Sequence, residues 1–255
     1  MRIESLFLTN HACLSCRREV PDGIRFSLCK DCLGNIDKID GNICKICGEK
    51  ILEGNNYCDI CRNYKFEFDQ SRSYAVYSDV ASSIVKRLKY SSKKYYAEHI
   101  AELMFENLDY FKGVDYLTFV PIGNKRRKER GFNQAEEIAR GLSKLTNIPI
   151  VDILEKTGSE RHQAGLTQKE RQANLSGTIV EKENVDKIKN KVIMIIDDVF
   201  TTGSTLSECA KVIKKNRSNK PSKIWCSTFA KTAYYSTNNG QNQQNNIKTE
   251  EIKVN

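Results

Sequence analysis

Four Cys-x-x-Cys pairs in the first 61 residues restrict this chain more than any other feature: Cys13/Cys16, Cys29/Cys32, Cys44/Cys47 and Cys58/Cys61. Twelve, eleven and ten residues separate successive pairs, so the segment reads as a repeat of half-sites. Each pair presents two thiolates on a tight turn, and two pairs complete a tetrahedral all-thiolate site with no open position for a substrate. Two structural Zn²⁺ ions are expected. The order along the chain suggests sequential pairing, and the spacing also admits an interleaved one. Redox-active Cys-x-x-Cys motifs and iron–sulfur clusters are the competing chemistries. A module this small has little core, so the metal supplies most of its folding free energy.

The other two cysteines, Cys209 and Cys226, stand alone. The start, MRIESLFLTN, lacks the continuous apolar core of a secretory signal, and no apolar run approaches the ~18 residues that a membrane helix needs. A cytoplasmic protein without a membrane span is expected, and there reduced thiols favour metal binding over disulfides. The net charge of +9 is unevenly spread. Residues 1–67 carry ten Lys and Arg against ten Asp and Glu, whereas residues 68–255 carry 31 against 22. Any basic surface for polyanions therefore belongs mainly to the second part.

Beyond a short link near residues 62–70, the hydrophobic pattern alternates between strand and helix periods. SYAVYS, YLTFVPI, IPIVDIL, SGTIV, VIMIIDD and KIWCSTFA read as strands. VASSIVKRLKY, YYAEHIAELMFENL, FNQAEEIARGLSKL and a segment from about Ser204 to Lys215 read as helices. This alternation predicts an α/β domain with a parallel sheet over residues 68–235, preceded by a small zinc-ribbon module of four-cysteine sites over 1–67. The polar stretch 236–255 has the composition of a disordered tail.

The sharpest single motif is VIMIIDDVFTTGST at 192–205. A buried strand delivers Asp197 and Asp198, and a turn made of Thr201, Thr202, Gly203, Ser204 and Thr205 opens a helix. Backbone N–H groups, the positive end of the helix dipole and several hydroxyls make such a turn an anion cradle. Two carboxylates beside a phosphate would repel it, so their partners are vicinal ribose hydroxyls or a Mg²⁺ ion near a pyrophosphate. The spacing of a Walker A loop is absent, and a receiver domain needs its acidic pair on the first strand rather than near the last. A capped helix without a ligand leaves the carboxylates unexplained.

VIMIIDDVFTTGST resembles the signature with which type I phosphoribosyltransferases bind phosphoribosyl pyrophosphate (PRPP). The four cysteine pairs, RLKY at 87–90, RRKERGFNQ at 126–134, QAGLTQKERQANLSGT at 163–178 and this motif, in that order, are together similar to the ComF/GntX-type competence protein family. The resemblance implies a double zinc ribbon and a phosphoribosyltransferase-like domain. It implies that Thr201 to Thr205 hold the 5-phosphate, that Asp197 and Asp198 hold the ribose hydroxyls, and that Mg²⁺ accompanies PRPP. It also implies a loop after an earlier strand that grips the pyrophosphate; VPIGNKRRKERGFNQ at 120–134 reads as that loop, and its basic stretch 125–130, beginning with Lys125 and Arg126, suits the departing diphosphate. Residues 156–174, with Arg161, Lys169 and Arg171, are placed to act as a catalytic lid. In the 6-oxopurine transferases a third acidic residue works on the base; Thr201 stands at that position here, which disfavours hypoxanthine or guanine as acceptor.

Two functional classes follow. One is a phosphoribosyltransferase of the ComF type with an unassigned acceptor, acting in DNA uptake and natural transformation. The other is a non-catalytic, PRPP-sensing, zinc-dependent factor that binds single-stranded DNA, with a competence helicase as partner. KRLKYSSKKYY at 86–96 interleaves cations and tyrosines in a composition able to pair phosphates and stack bases. An amphipathic helix with inward tyrosines explains the same residues.

Overall fold

The computed structural model describes residues 12–21, 25–91, 93–157, 177–182, 188–216 and 219–233. Two short helices, α1 (Lys30–Gly34) and α2 (Asp59–Asn63), each begin directly after a cysteine that serves as the N-cap. They are followed by β1 (Gln70–Val76), α3 (Asp79–Tyr90), α4 (Tyr95–Phe105), β2 (Tyr116–Phe119), α5 (Asn124–Arg130) and α6 (Gln134–Thr146). Next come β3 (Leu154–Lys156), β4 (Ile179–Glu181), β5 (Val192–Phe200), α7 (Ser204–Lys215) and β6 (Lys223–Lys231).

The main sheet has the order β1-β6-β5-β2 with every neighbouring pair parallel. The runs that read as continuous apolar strands occupy its centre, as expected where helices cover both faces. Ile193, Ile195 and Ile196 in β5, and Ile224 and Phe229 in β6, are fully buried. Parallel pairing also sends the carboxyl ends of β2 and β5 to the same edge, where crossover sheets place their ligands.

Three expectations change. IPIVDIL forms only a single parallel bridge, Ile150 to Leu117: Pro149 has no N–H to extend the ladder on its N-terminal side, and beyond Val151 the Ile153 carbonyl accepts from Lys182 N–H instead. The strand in this region is β3, and it pairs antiparallel with β4 in a separate two-stranded sheet. The basic stretch 125–130 is a helix, α5, bracketed by Gly123 as N-cap and by Gly131 at φ 80° as C-cap. It contains no buried residue, so no hydrophobic period announces it in the sequence.

The cysteine module is joined to β1 by backbone hydrogen bonds. Ser71 N–H donates to Ile46 C=O at 2.6 Å, Val76 N–H to Asp37 C=O at 2.8 Å, and Ile39 N–H to Tyr74 C=O at 2.9 Å. These contacts cover an edge strand that would otherwise offer unpaired groups to another chain. Gly48, at φ 69°, allows the close approach: a Cβ there would stand 2.8 Å from the Ser71 carbonyl oxygen. Among the described residues no helix is long and apolar enough to cross a membrane.

Candidate functional site at the carboxyl edge of the sheet

The eight cysteines assemble as two sets, Cys13/Cys16/Cys29/Cys32 and Cys44/Cys47/Cys58/Cys61, with the four sulfurs of each set within 4.8 Å of one another. Pairing is therefore sequential. A tetrahedron with Zn–S bonds of about 2.3 Å separates its sulfurs by about 3.8 Å. Cys16 Sγ and Cys29 Sγ are 3.8 Å apart, and Cys47 Sγ and Cys58 Sγ are 3.6 Å apart, so the donor sets fit Zn²⁺. The Cys32 and Cys61 amides donate to the Cys29 and Cys58 sulfurs, which orients these ligands. At the first set Arg18 lies 3.4 Å from Cys16 Sγ and pulls that thiol down to about 6, while also pairing with Asp31 at 2.7 Å.

The second centre is the end of β5. The strand runs through both carboxylates to Phe200, so Asp197 and Asp198 are strand residues rather than the start of a loop. Its pleat sends neighbouring side chains to opposite faces. Asp198, 8% exposed, pairs with Lys89 Nζ of α3 at 2.9 Å. Asp197 accepts the Asp198 N–H at 2.8 Å, and its charge helps burial to raise the Cys209 thiol on α7. The Asp197 carboxyl is pushed up to about 7, first by burial and then by the Asp198 charge, against the opposing pull of Lys89 and Arg130. Burial alone would favour neutral Lys89, but Asp198 and Asp197 outweigh it and hold the ammonium above its ordinary range.

After Phe200 the chain turns through Gly203, whose φ of 74° and ψ of 0° place it in the left-handed region just before α7. Thr202 Oγ1 and Ser204 Oγ lie 2.9 Å apart, and the Ser204 N–H donates to Thr202 Oγ1 at 3.4 Å. Thr232, past the end of β6, donates to the carbonyls of Phe200 and Thr201 and ties down the start of the turn. No acidic residue occupies the first turn of α7, so no carboxylate there competes with an incoming anion. Thr201 is exposed, Thr202 and Thr205 are half-buried, and Ser204 is buried.

Lys125 and Arg126 lie on the first turn of α5, at the same sheet edge. Asn133 fixes the far side of that segment by donating to Val120 C=O at 3.0 Å while capping α6. Arg161, Lys169 and Arg171 lie outside the described residues. Lys89, which the sequence reading places in a nucleic-acid patch, reaches this centre through Asp198, and Arg130, from the basic stretch read for the diphosphate, adds its charge near Asp197. The signal for Lys89 is its place in RLKY, one of the motifs carrying the resemblance.

The patch at 86–96 is only partly available. Arg87 donates to Ser15 C=O at 2.7 Å, Lys94 pairs with Glu137 at 2.6 Å, and Tyr96 is buried. Tyr90 and Tyr95 remain 79% and 42% exposed, and Lys93 Nζ stands 5.9 Å from the Tyr95 ring centre.

Residues 5–62 match the family described as the double zinc ribbon domain. The chain is 25% identical over 213 residues to competence protein F of Haemophilus influenzae, covering 81% of this chain and 92% of the relative. It is 26% identical over 196 residues to competence protein ComFC of Bacillus subtilis, covering 73% and 77%. Among solved structures, an adenine phosphoribosyltransferase from Thermoanaerobacter pseudethanolicus aligns over 56% of this chain and 83% of its own, at 12% identity and a TM-score of 0.34. The first part of the chain is a double zinc ribbon, a parallel α/β domain follows it, and over most of its length the chain is similar to competence proteins F and ComFC.

Proposed function

We propose that this protein binds PRPP at the end of β5 and acts in the handling of incoming DNA, as the names of its competence relatives suggest. The observation that carries the reading is the juxtaposition at one sheet edge of the Gly203-centred turn with Asp197 and Asp198. In this reading Thr202, Ser204 and Thr205 with the α7 amides hold the 5-phosphate, and the carboxylates accept hydrogen bonds from the ribose hydroxyls. Lys125, Arg126 and Arg130 stabilise the negative charge that grows on pyrophosphate as the anomeric C–O bond breaks. Mg²⁺, when bound with PRPP, neutralises part of the same charge. Asp198 is already neutralised by Lys89, so the cation arrives with the ligand rather than at a preformed acidic cage. Activity as a transferase, and the lid role of Arg161, Lys169 and Arg171, belong to the same proposal, with the acceptor left open by Thr201.

Isothermal titration with PRPP and Mg²⁺ tests the reading. Asp197 offers both oxygens as charge-assisted acceptors to the ribose hydroxyls only when ionised, and its carboxyl is pushed up to about 7. Affinity is therefore expected to rise as pH increases through that value. Part of any rise comes from the second phosphate ionisation near pH 6. Asp197→Asn keeps that part and loses the rest, so a steeper pH dependence in the wild type than in the variant is the expected result. Equal slopes, or no PRPP binding in the wild type, would refute the assignment.

The second reading, a non-catalytic PRPP sensor that binds single-stranded DNA and meets a competence helicase, draws support from exposed Tyr90 and Tyr95 beside Lys93. Base stacking on an aromatic side chain contributes about 1–3 kcal/mol. The double substitution Tyr90→Ala/Tyr95→Ala is accordingly expected to weaken oligo(dT) binding at least tenfold, by fluorescence anisotropy at fixed salt, while PRPP binding stays unchanged. An unaltered DNA affinity would remove this patch from the reading.

A further inference from the structure

We propose that Phe66, in the segment joining the second ribbon to β1, is a positioning residue for the turn at 201–205, which makes the zinc module a physical part of the phosphate site. The proposal rests on the reading of that turn as a phosphate cradle. The contact itself is independent of that reading.

Gly203 has rings pressed against its backbone from below. A Cβ at this position would lie 2.5 Å from the Phe200 ring and 2.8 Å from the Phe66 ring. Phe66 stacks on Phe68 with centroids 4.7 Å apart, and both meet Phe200 edge-on at 6.1 and 6.2 Å. On its other side Phe66 meets Tyr64 edge-on at 4.8 Å. Tyr64 is the C-cap of α2, the helix that follows Cys58 and carries Cys61. An unbroken aromatic row thus leads from two zinc ligands to the glycine that shapes the turn.

Two further connections follow the same route. Glu49, two residues past Cys47, forms a buried ion pair with Lys231 at 3.4 Å, and Lys231 Nζ stands 3.8 Å from the Phe200 ring centre. The linker backbone is also fastened to α7. The Glu67 N–H donates to Ser207 Oγ at 3.0 Å, Ser207 N–H donates to Gly203 C=O at 2.9 Å, and Lys214 Nζ donates to Glu67 C=O.

Buried phenylalanines ordinarily do no more than fill a core. Here the ring edge is the floor on which a left-handed glycine rests, and that glycine sets where the Thr202 hydroxyl and the Ser204 amide point. Truncating Phe66 leaves a cavity under the turn that the surroundings fill only in part. The turn then samples other geometries, and donors that had been held for a phosphate are misdirected.

The test uses the full chain loaded with zinc, comparing wild type with Phe66→Ala, Phe66→Leu and Glu49→Gln. Hydrogen–deuterium exchange is followed over 200–206 and, as an internal reference, over the β5 interior at 192–196. Binding is titrated with PRPP, ribose 5-phosphate and inorganic pyrophosphate. In Phe66→Ala, exchange over 200–206 is expected to accelerate while 192–196 and the zinc content hold. Affinity for PRPP and ribose 5-phosphate is expected to fall about tenfold, pyrophosphate binding is expected to change little, and Phe66→Leu recovers most of the loss. Glu49→Gln, which leaves the aromatic row whole, should accelerate the same peptide to a smaller degree. If Phe66→Ala does not fold, the other two variants decide. Unchanged exchange over 200–206, or equal acceleration over 192–196, overturns the proposal. A wild type that binds no sugar phosphate would instead refute the cradle reading, and the exchange data would still decide the coupling.

Discussion

Replacing Cys44 with serine is expected to remove one of two zinc equivalents and to unfold the second ribbon locally. Structural zinc contributes about 10–16 kcal/mol of apparent binding free energy in small zinc-finger peptides, far more than the few apolar contacts of such a module can replace. The second set is the deeper one: Cys44, Cys47 and Cys58 are all buried, whereas Cys16 of the first set is exposed. Its loss should reach the α/β domain, because Ile46 receives the Ser71 N–H and Gly48 packs on the Ser71 carbonyl. With those contacts gone the β1 edge loses part of its cover. Zinc analysis together with exchange over 70–76 measures both effects. Cys13→Ser serves as the comparison: it should also lose one equivalent, but with a smaller change in β1, since the first ribbon meets the domain at α3 and α4, where Arg87 and Ser83 bond Ser15 and Ser27 Oγ lies 3.0 Å from His99 Nε2. Retention of two equivalents in either variant would contradict the sequential four-thiolate sites.

Lys89→Ala should markedly destabilise the α/β domain. Removing one partner of a buried ion pair leaves the other charge uncompensated, at a cost of about 3–5 kcal/mol for full burial. The side chains here are 25% and 11% exposed, so about 2–3 kcal/mol is a reasonable expectation from the same principle. The sign of the pH dependence follows from the raised ammonium. Its contribution is complete below the ordinary lysine value of 10.5 and is lost as pH climbs through the higher folded value. Urea unfolding of the wild type should therefore weaken above about pH 10 in a way that the variant does not. Lys89→Met/Asp198→Asn, which discards both charges, should recover most of the loss. If it is no more stable than Lys89→Ala, the pair does not act as an ion pair. Without Lys89 the Asp197 carboxyl also loses one of the charges that hold it down, so its proton leaves at still higher pH.

Much of this molecule is legible in one dimension because its strongest constraints are local. Two thiolates separated by two residues face one ion as soon as the chain makes a local tight turn, so the metal chemistry of Cys13 to Cys61 needs no knowledge of the fold. The β5 motif is local in the same sense: strand, carboxylates, glycine turn and helix start lie within fourteen residues, and the structure keeps them in that order. Alternating periods are enough to predict a parallel α/β domain, since a strand buried on both faces has to be almost wholly apolar.

What stays hidden depends on which distant residues meet. Helix α5 has no apolar face, so nothing in residues 124–130 distinguishes it from a charged loop until its glycine caps are seen in place. In sequence Lys89 is one more cation in a basic run, and only the packing of α3 against the sheet brings it to Asp198. Pro149 stops the IPIVDIL ladder on one side, and on the other the chain turns away to pair with β4. The link at 62–70 reads as a connector because YKFEF shows no partner in sequence. Tertiary structure decides that its aromatic rings lie beneath Gly203. Composition and spacing determine which groups a chain can offer to a metal or a phosphate, whereas the desolvation, charge pairing and ring contacts that aim those groups exist only after residues more than a hundred positions apart have been brought together.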